Sequence, residues 1–154
     1  MPSMESVLNT KASEIKRPPP LPVSNYTLQL YGRPNFVDME RQGKSSYVDF
    51  QSKILGISED TSDEDLAAYP GGRAAILGME VKPRHGWCRF YLSEGALPQL
   101  VEWMRDVLQI ETDGKSLKEA CFEVPGHMAI AEVQQIPTQD GKGMMAEIRG
   151  WART

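Results

Sequence analysis

From Asn25 onward the chain alternates apolar and polar positions with period two. Tyr26, Leu28 and Leu30 fall on one side, and Thr27, Gln29 and Tyr31 on the other. Successive strand side chains point to opposite faces, so Asn25–Tyr31 predicts a half-buried strand. Ser46–Leu55 repeats the pattern, with Val48, Phe50, Ser52 and Ile54 opposite Tyr47, Asp49, Gln51 and Lys53. Between the two runs, Gly32 to Lys44 is polar and carries Arg33, Arg41 and Lys44, which predicts paired strands joined by a long flexible loop.

The alternation stops at an acidic insert, residues 57–72. There Ser62 followed by Asp63, Glu64 and Asp65 predicts a short capped helix that Pro70-Gly71-Gly72 ends. Ala74–Val81 and Gly86–Leu92 then read as strands around the turn Lys82-Pro-Arg-His-Gly86, with Cys88, Phe90 and Leu92 alternating with Trp87, Arg89 and Tyr91. Ser93–Ile110 predicts the main helix: Ser93 can cap it, and Leu97, Leu100, Val101, Met104, Val107 and Leu108 recur at three and four residues. A short helix over Ser116–Phe122 follows, then strands over His127–Ile136 and Met144–Trp151 around Gln139-Asp-Gly-Lys142.

This order predicts a mainly β domain over residues 23–154. An OB-like five-stranded barrel places its single helix between the third and fourth strands, where Ser93–Ile110 falls. A sandwich or roll with a helix across one end fits the same order. Residues 1–22 predict an extended Pro-rich arm, because over Arg17-Pro-Pro-Pro-Leu-Pro22 proline fixes φ and lacks an amide donor. Such an arm is a stiff lead-in to the first strand, a polyproline ligand, or a segment that wraps a neighbouring subunit.

Composition narrows the function. The 154 residues are 40% hydrophobic and 25% charged, enough to build one packed core. A net charge of −4 argues against a uniformly basic coat for duplex DNA. The acids are concentrated, however: residues 57–70 hold five acids and no base, and residues 93–124 hold seven acids against three bases, while 71–92 are net basic. Cys88 and Cys121 have no ligand-spaced Cys or His beside them, so they predict reduced, apolar-packed thiols in an intracellular protein. No run approaches the roughly 18 apolar residues of a membrane span. The first residues lack a basic segment followed by an apolar one, and the expectation is a cytoplasmic protein that is not secreted.

Catalytic signatures are sparse. Gly43-Lys44-Ser45 and Gly114-Lys115-Ser116 imitate the end of a phosphate-binding loop, but Asp38 and Gln109 stand where its first glycine is required. His85 and His127 have no candidate nucleophile nearby in sequence, and Asp63, Glu64 and Asp65 lack the oxygen-ligand alternation of a calcium loop. The expectation is a non-enzyme without metal or cofactor. The faces opposite the apolar ones tell more: Tyr31; Tyr47 and Lys53; Trp87, Arg89 and Tyr91; and Arg149. Rings interleaved with cations suit single-stranded nucleic acid, because unpaired bases stack on rings while Lys and Arg follow the phosphates. The same composition also serves strand packing and subunit interfaces.

Four segments carry a resemblance: Pro22-Val-Ser-Asn-Tyr-Thr-Leu through Ser46-Tyr-Val-Asp-Phe; Arg89-Phe-Tyr-Leu-Ser-Glu-Gly-Ala-Leu-Pro-Gln-Leu-Val-Glu-Trp-Met; Pro125-Gly-His-Met-Ala-Ile-Ala-Glu-Val; and Asp140-Gly-Lys-Gly-Met-Met-Ala-Glu-Ile. Together, over roughly residues 20–150, they resemble small phage-encoded single-stranded-DNA-binding proteins of replication and recombination modules. The resemblance implies an OB-type barrel, self-association, no cofactor and no catalysis. The chain departs from it by ending in Gly150-Trp-Ala-Arg-Thr154 without an acidic tail; Glu59–Asp65 is the internal block expected to engage replication or recombination proteins instead. The competing expectation is a capsid or tail component that docks on neighbours through its N-terminal arm.

Overall fold

The structure is a computed structural model, and it describes residues 3–12 and 19–154. Its centre is one mainly antiparallel sheet. The long strands are β1 (Ser24–Val37), β2 (Tyr47–Ile57), β6 (Met128–Pro137) and β7 (Met144–Ala152). Short strands β3 (Glu80–Val81), β4 (Arg84–His85) and β5 (Cys88–Tyr91) fill the segment between β2 and the helices. The strand order is β4-β5-β2-β1-β6-β7, with β3 also paired to β2.

The period-two reading holds where it was strongest. Tyr26, Leu28, Leu30, Val48 and Ile54 are fully buried, and Phe50 and Ser52 join them. Ladder register sets Tyr26 opposite Ala131 and Leu28 opposite Ala129, so small side chains on β6 leave room for large ones on β1. The buried Tyr26 hydroxyl donates to the Pro22 carbonyl, which satisfies a polar group the core cannot solvate.

Three expectations are corrected. The five-stranded barrel is instead an open seven-stranded sheet: β5 pairs with β2 and β4, β7 pairs with β6, and among the described residues no ladder joins β5 to β7. Ala74–Val81 is not a strand. It begins inside helix α3 (Gly72–Ile76) and reaches β3 only at its last two residues, because Gly71, Gly72 and Gly78 all take positive φ and bend the chain around that helix. The arm is not extended throughout, since Met4–Leu8 forms a helix, α1, capped by the Ser3 hydroxyl. Arg17 and Pro18, the start of the proline run, lie outside the described residues.

The acidic insert folds as expected around its cap. Ser62 accepts from the Asp65 amide at the start of α2 (Asp63–Leu66), and Leu66 is fully buried. The main helix is shorter than the apolar repeat suggests. Helix α4 (Leu97–Glu102) starts after Ala96, not at Ser93, and widens into a π turn over Trp103–Val107. Ser116 caps α5 (Leu117–Phe122). Trp103 stands at the centre of the core: its ring lies 4.6 Å from Phe90, 5.5 Å from Phe50 and 5.4 Å from Trp151, tying the π turn to β2, β5 and β7 at once.

Candidate nucleic-acid interface

On the outer face of the sheet, ladder register lines up the polar and aromatic positions of four strands. Tyr91 on β5 stands opposite Tyr47 on β2, and Arg89 opposite Asp49. Gln51 then stands opposite Tyr31 on β1, and Lys53 opposite both Gln29 on β1 and Glu80 on β3. Alternation brings this about, since every outer position of β2 from Tyr47 to Lys53 has its neighbour two residues on.

At one end of the face, the Tyr47 and Tyr91 rings meet edge to face at 6.0 Å, and His85 lies 5.8 Å from Tyr91. The Arg89 guanidinium sits 4.0 Å from the Tyr47 ring centroid. It also makes a two-pronged bond to Asp49, with Nε donating at 2.8 Å and Nη2 at 3.0 Å. That bond, more than any other effect, raises the Arg89 pKa. Arg89 therefore contributes geometry and a ring-stacked plane, while Asp49 cancels much of its charge.

At the other end, the Lys53 ammonium lies 5.5 Å from the Tyr31 ring centroid. Desolvation first, and then the neighbouring Glu80 carboxylate, raises the Tyr31 pKa, so its hydroxyl stays protonated well beyond neutral pH. Gln51 lies across Gly32: a Cβ there would meet its Oε1 at 2.6 Å, and Gly32 has φ +71. The positive φ is what favours glycine here, since the exposed Gln51 side chain can swing away from a Cβ.

Of the residues expected to bind, Tyr31, Tyr47, Lys53, Arg89 and Tyr91 come together on this face. Trp87 does not. It is 2% exposed, its indole N–H donates to the Ala146 carbonyl at 2.9 Å, and the Arg84 guanidinium covers its ring at 5.1 Å. The alternation fails there because Gly86 and Cys88 both have positive φ, so the neighbours Trp87 and Cys88 are both buried. Arg149 is exposed on β7, separated from β2 in the strand order by β1 and β6.

Sequence reasoning missed Asp49 and Glu80 as members of the site. Asp49 was legible, since it shares the outer face with Tyr47 and Lys53; Glu80 was not, because β3 was read as the end of a longer strand. The thiols are not part of this face. Burial pushes the Cys88 thiol up to about 12 and the Cys121 thiol up to about 11. Among the described residues, no cluster of three or more His, Cys, Asp or Glu side chains is placed to hold a metal ion, and no helix is long and apolar enough to cross a membrane. No family model, curated protein or solved structure matches the chain.

Proposed function

We propose that this chain binds single-stranded DNA without sequence preference, in support of replication or recombination, through the outer face of β1, β2 and β5. The observation that carries the reading is the set of three half-exposed tyrosines, Tyr31, Tyr47 and Tyr91, with a cation against two of them, Lys53 beside Tyr31 and Arg89 over Tyr47. Rings of this kind stack bases of any identity, and the amides of Gln29 and Gln51 beside them suit sugar and phosphate oxygens. The net charge of −4 is compatible with this ligand, because the acids of residues 59–65 lie on a separate insert, where Asp63 pairs with Arg73 at 2.7 Å. That exposed block is the surface for protein partners in this reading.

Fluorescence anisotropy with labelled single-stranded DNA, single-stranded RNA and duplex, each at two salt concentrations, tests the proposal. The expected result is salt-sensitive binding to single strands that ignores base composition and is weaker for duplex. Equal or absent binding to all three removes the reading.

A second reading, an assembly protein that uses its arm, draws on a different observation. Met4, Val7 and Leu8 are exposed on α1, which buries none of its own side chains. Light scattering of chains with and without α1 separates this reading from the first.

A further inference from the structure

β1 runs past its neighbour. β6 pairs only with Ser24–Gln29; after the Leu30 amide donates to His127, that side of β1 has no strand partner among the described residues. On this overhang Phe36 is 38% exposed, and α5 lays Phe122, 41% exposed, beside it with ring centroids 6.1 Å apart. Arg33 is exposed, makes no ion pair among the described residues, and has its guanidinium 5.8 Å from the Phe122 ring centroid.

The overhang begins a short way along β1 from Tyr31. Tyr31 pairs with Gln51 and Phe36 with Val48, three residues apart on β2, a distance of about 10 Å along a strand. β1 spends more residues over that span, four steps from Tyr31 to Asn35 against two from Gln51 to Asp49. The two surplus residues at Gly32–Pro34 keep the alternation in step, so Asn35 and Val37 share the outer face with Tyr31, while Phe36, opposite the buried Val48, lies on the other side of β1 and is reached from Tyr31 only around the strand's overhanging, unpaired edge.

We infer that Phe36, Phe122 and Arg33 form a second base-stacking station, which extends the single-stranded path from Tyr31 around the end of β1. The inference rests on the proposed single-strand binding and adds to it a longer footprint. Two exposed rings with an unpaired guanidinium beside one of them repeat the chemistry of the first station, and the chain that follows exposes Arg41 and Lys44 along with Asp38 and Glu40. A protein partner is less well matched, because the apolar surface here amounts to two rings bordered by polar and charged side chains.

The test compares Phe36→Ala/Phe122→Ala and Arg33→Gln with the unmodified chain, using oligonucleotides of about 6 and about 20 nucleotides. Circular dichroism and light scattering accompany each titration, and Phe36→Leu/Phe122→Leu keeps the apolar bulk should the alanine pair unfold. The expected result is a loss of about tenfold or more on the long oligonucleotide with little change on the short one. Unchanged binding of the long oligonucleotide by folded variants overturns the inference, as does equal weakening at both lengths. A dimer that dissociates on substitution while DNA binding persists also overturns it and assigns the patch to self-association. If the unmodified chain binds neither oligonucleotide, the proposed function itself fails, which separates the two outcomes.

Discussion

The Trp87 indole N–H donates to the Ala146 carbonyl at 2.9 Å, joining the turn before β5 to β7 across a gap that no ladder among the described residues closes. The same gap is lined by Ile148 and Trp151 of β7 on one side and by Cys88 and Phe90 of β5 on the other. Trp87→Phe keeps most of the ring and loses the bond, at an expected cost of about 1 kcal/mol. Trp87→Ala also leaves a cavity and is expected to cost about 3–5 kcal/mol. Urea unfolding measures both, and equal midpoints for the two variants contradict this account of the seam.

The bond between Arg89 and Asp49 leads to a prediction of opposite sign. Asp49→Asn removes the carboxylate that cancels the guanidinium while leaving an acceptor in place. If the outer face meets phosphates, binding to single-stranded DNA tightens, by about threefold to tenfold, and its salt dependence steepens. An anisotropy titration in which the variant binds more weakly counts against a phosphate role for Arg89.

Tyr47→Ala and Tyr91→Ala remove rings that stack with each other and, in the proposed complex, with bases. Each base–ring stack is worth about 1–3 kcal/mol, so each variant is expected to weaken binding by roughly 5-fold to 150-fold with little change in salt slope. Trp87 variants that stay folded are expected to bind normally, because that ring is buried.

The contrast between these residues shows what the sequence could reveal. Tyr26, Leu28 and Leu30 were readable because an uninterrupted strand has no freedom in where its side chains point. The same rule misplaces Trp87, because departures in φ on either side of it, at Gly86 and Cys88, reset the alternation, and a non-glycine residue at φ 57 leaves no mark in the sequence. Phe36 and Phe122 were out of reach for another reason. One lies in a stretch read as loop and the other on a helix, and only the fold brings them together.

The buried thiols and Tyr26 make the fold sensitive to alkali. Desolvation raises the Cys88 and Cys121 pKa values from 9.0 to about 12 and about 11, and raises Tyr26 above its usual 10.0. The unfolded chain releases these protons first, so the stability they carry is intact below pH 9.0 and falls as pH rises toward the folded values. Each thiol contributes a slope of about 1.4 kcal/mol per pH unit in that window. Unfolding midpoints measured across it are expected to fall with a shallower slope in Cys121→Ala. The same thiols are expected to resist alkylation until the chain unfolds.

The residues just before β1 belong to the domain. Leu21 is 7% exposed, its carbonyl accepts from the Gln135 side chain at 3.1 Å, and the Pro22 carbonyl accepts from Tyr26. A chain that starts at Val23 is expected to be about 2–4 kcal/mol less stable than one that starts at Pro19, through exposure of Leu21 and an unsatisfied Tyr26 hydroxyl. Equal melting temperatures for the two would contradict this.

The π turn at Trp103–Val107 also bears on how this chain can change in length. Its amide bonds run from Leu108 back to Trp103 and from Ile110 to Met104, spanning more residues than an α-helix would. A turn of this kind holds one more residue than an α turn, and here it closes the helix, with Leu108 as its cap and Gln109 following at φ 59. The surplus is on the solvent side, where Arg105 and Asp106 are exposed, while Trp103 and Met104 stay in the core. A residue lost from the exposed Arg105–Asp106 side therefore tightens the last turn toward an α-helix, and its cost falls on how Leu108 and Ile110, both buried just beyond it, are re-seated.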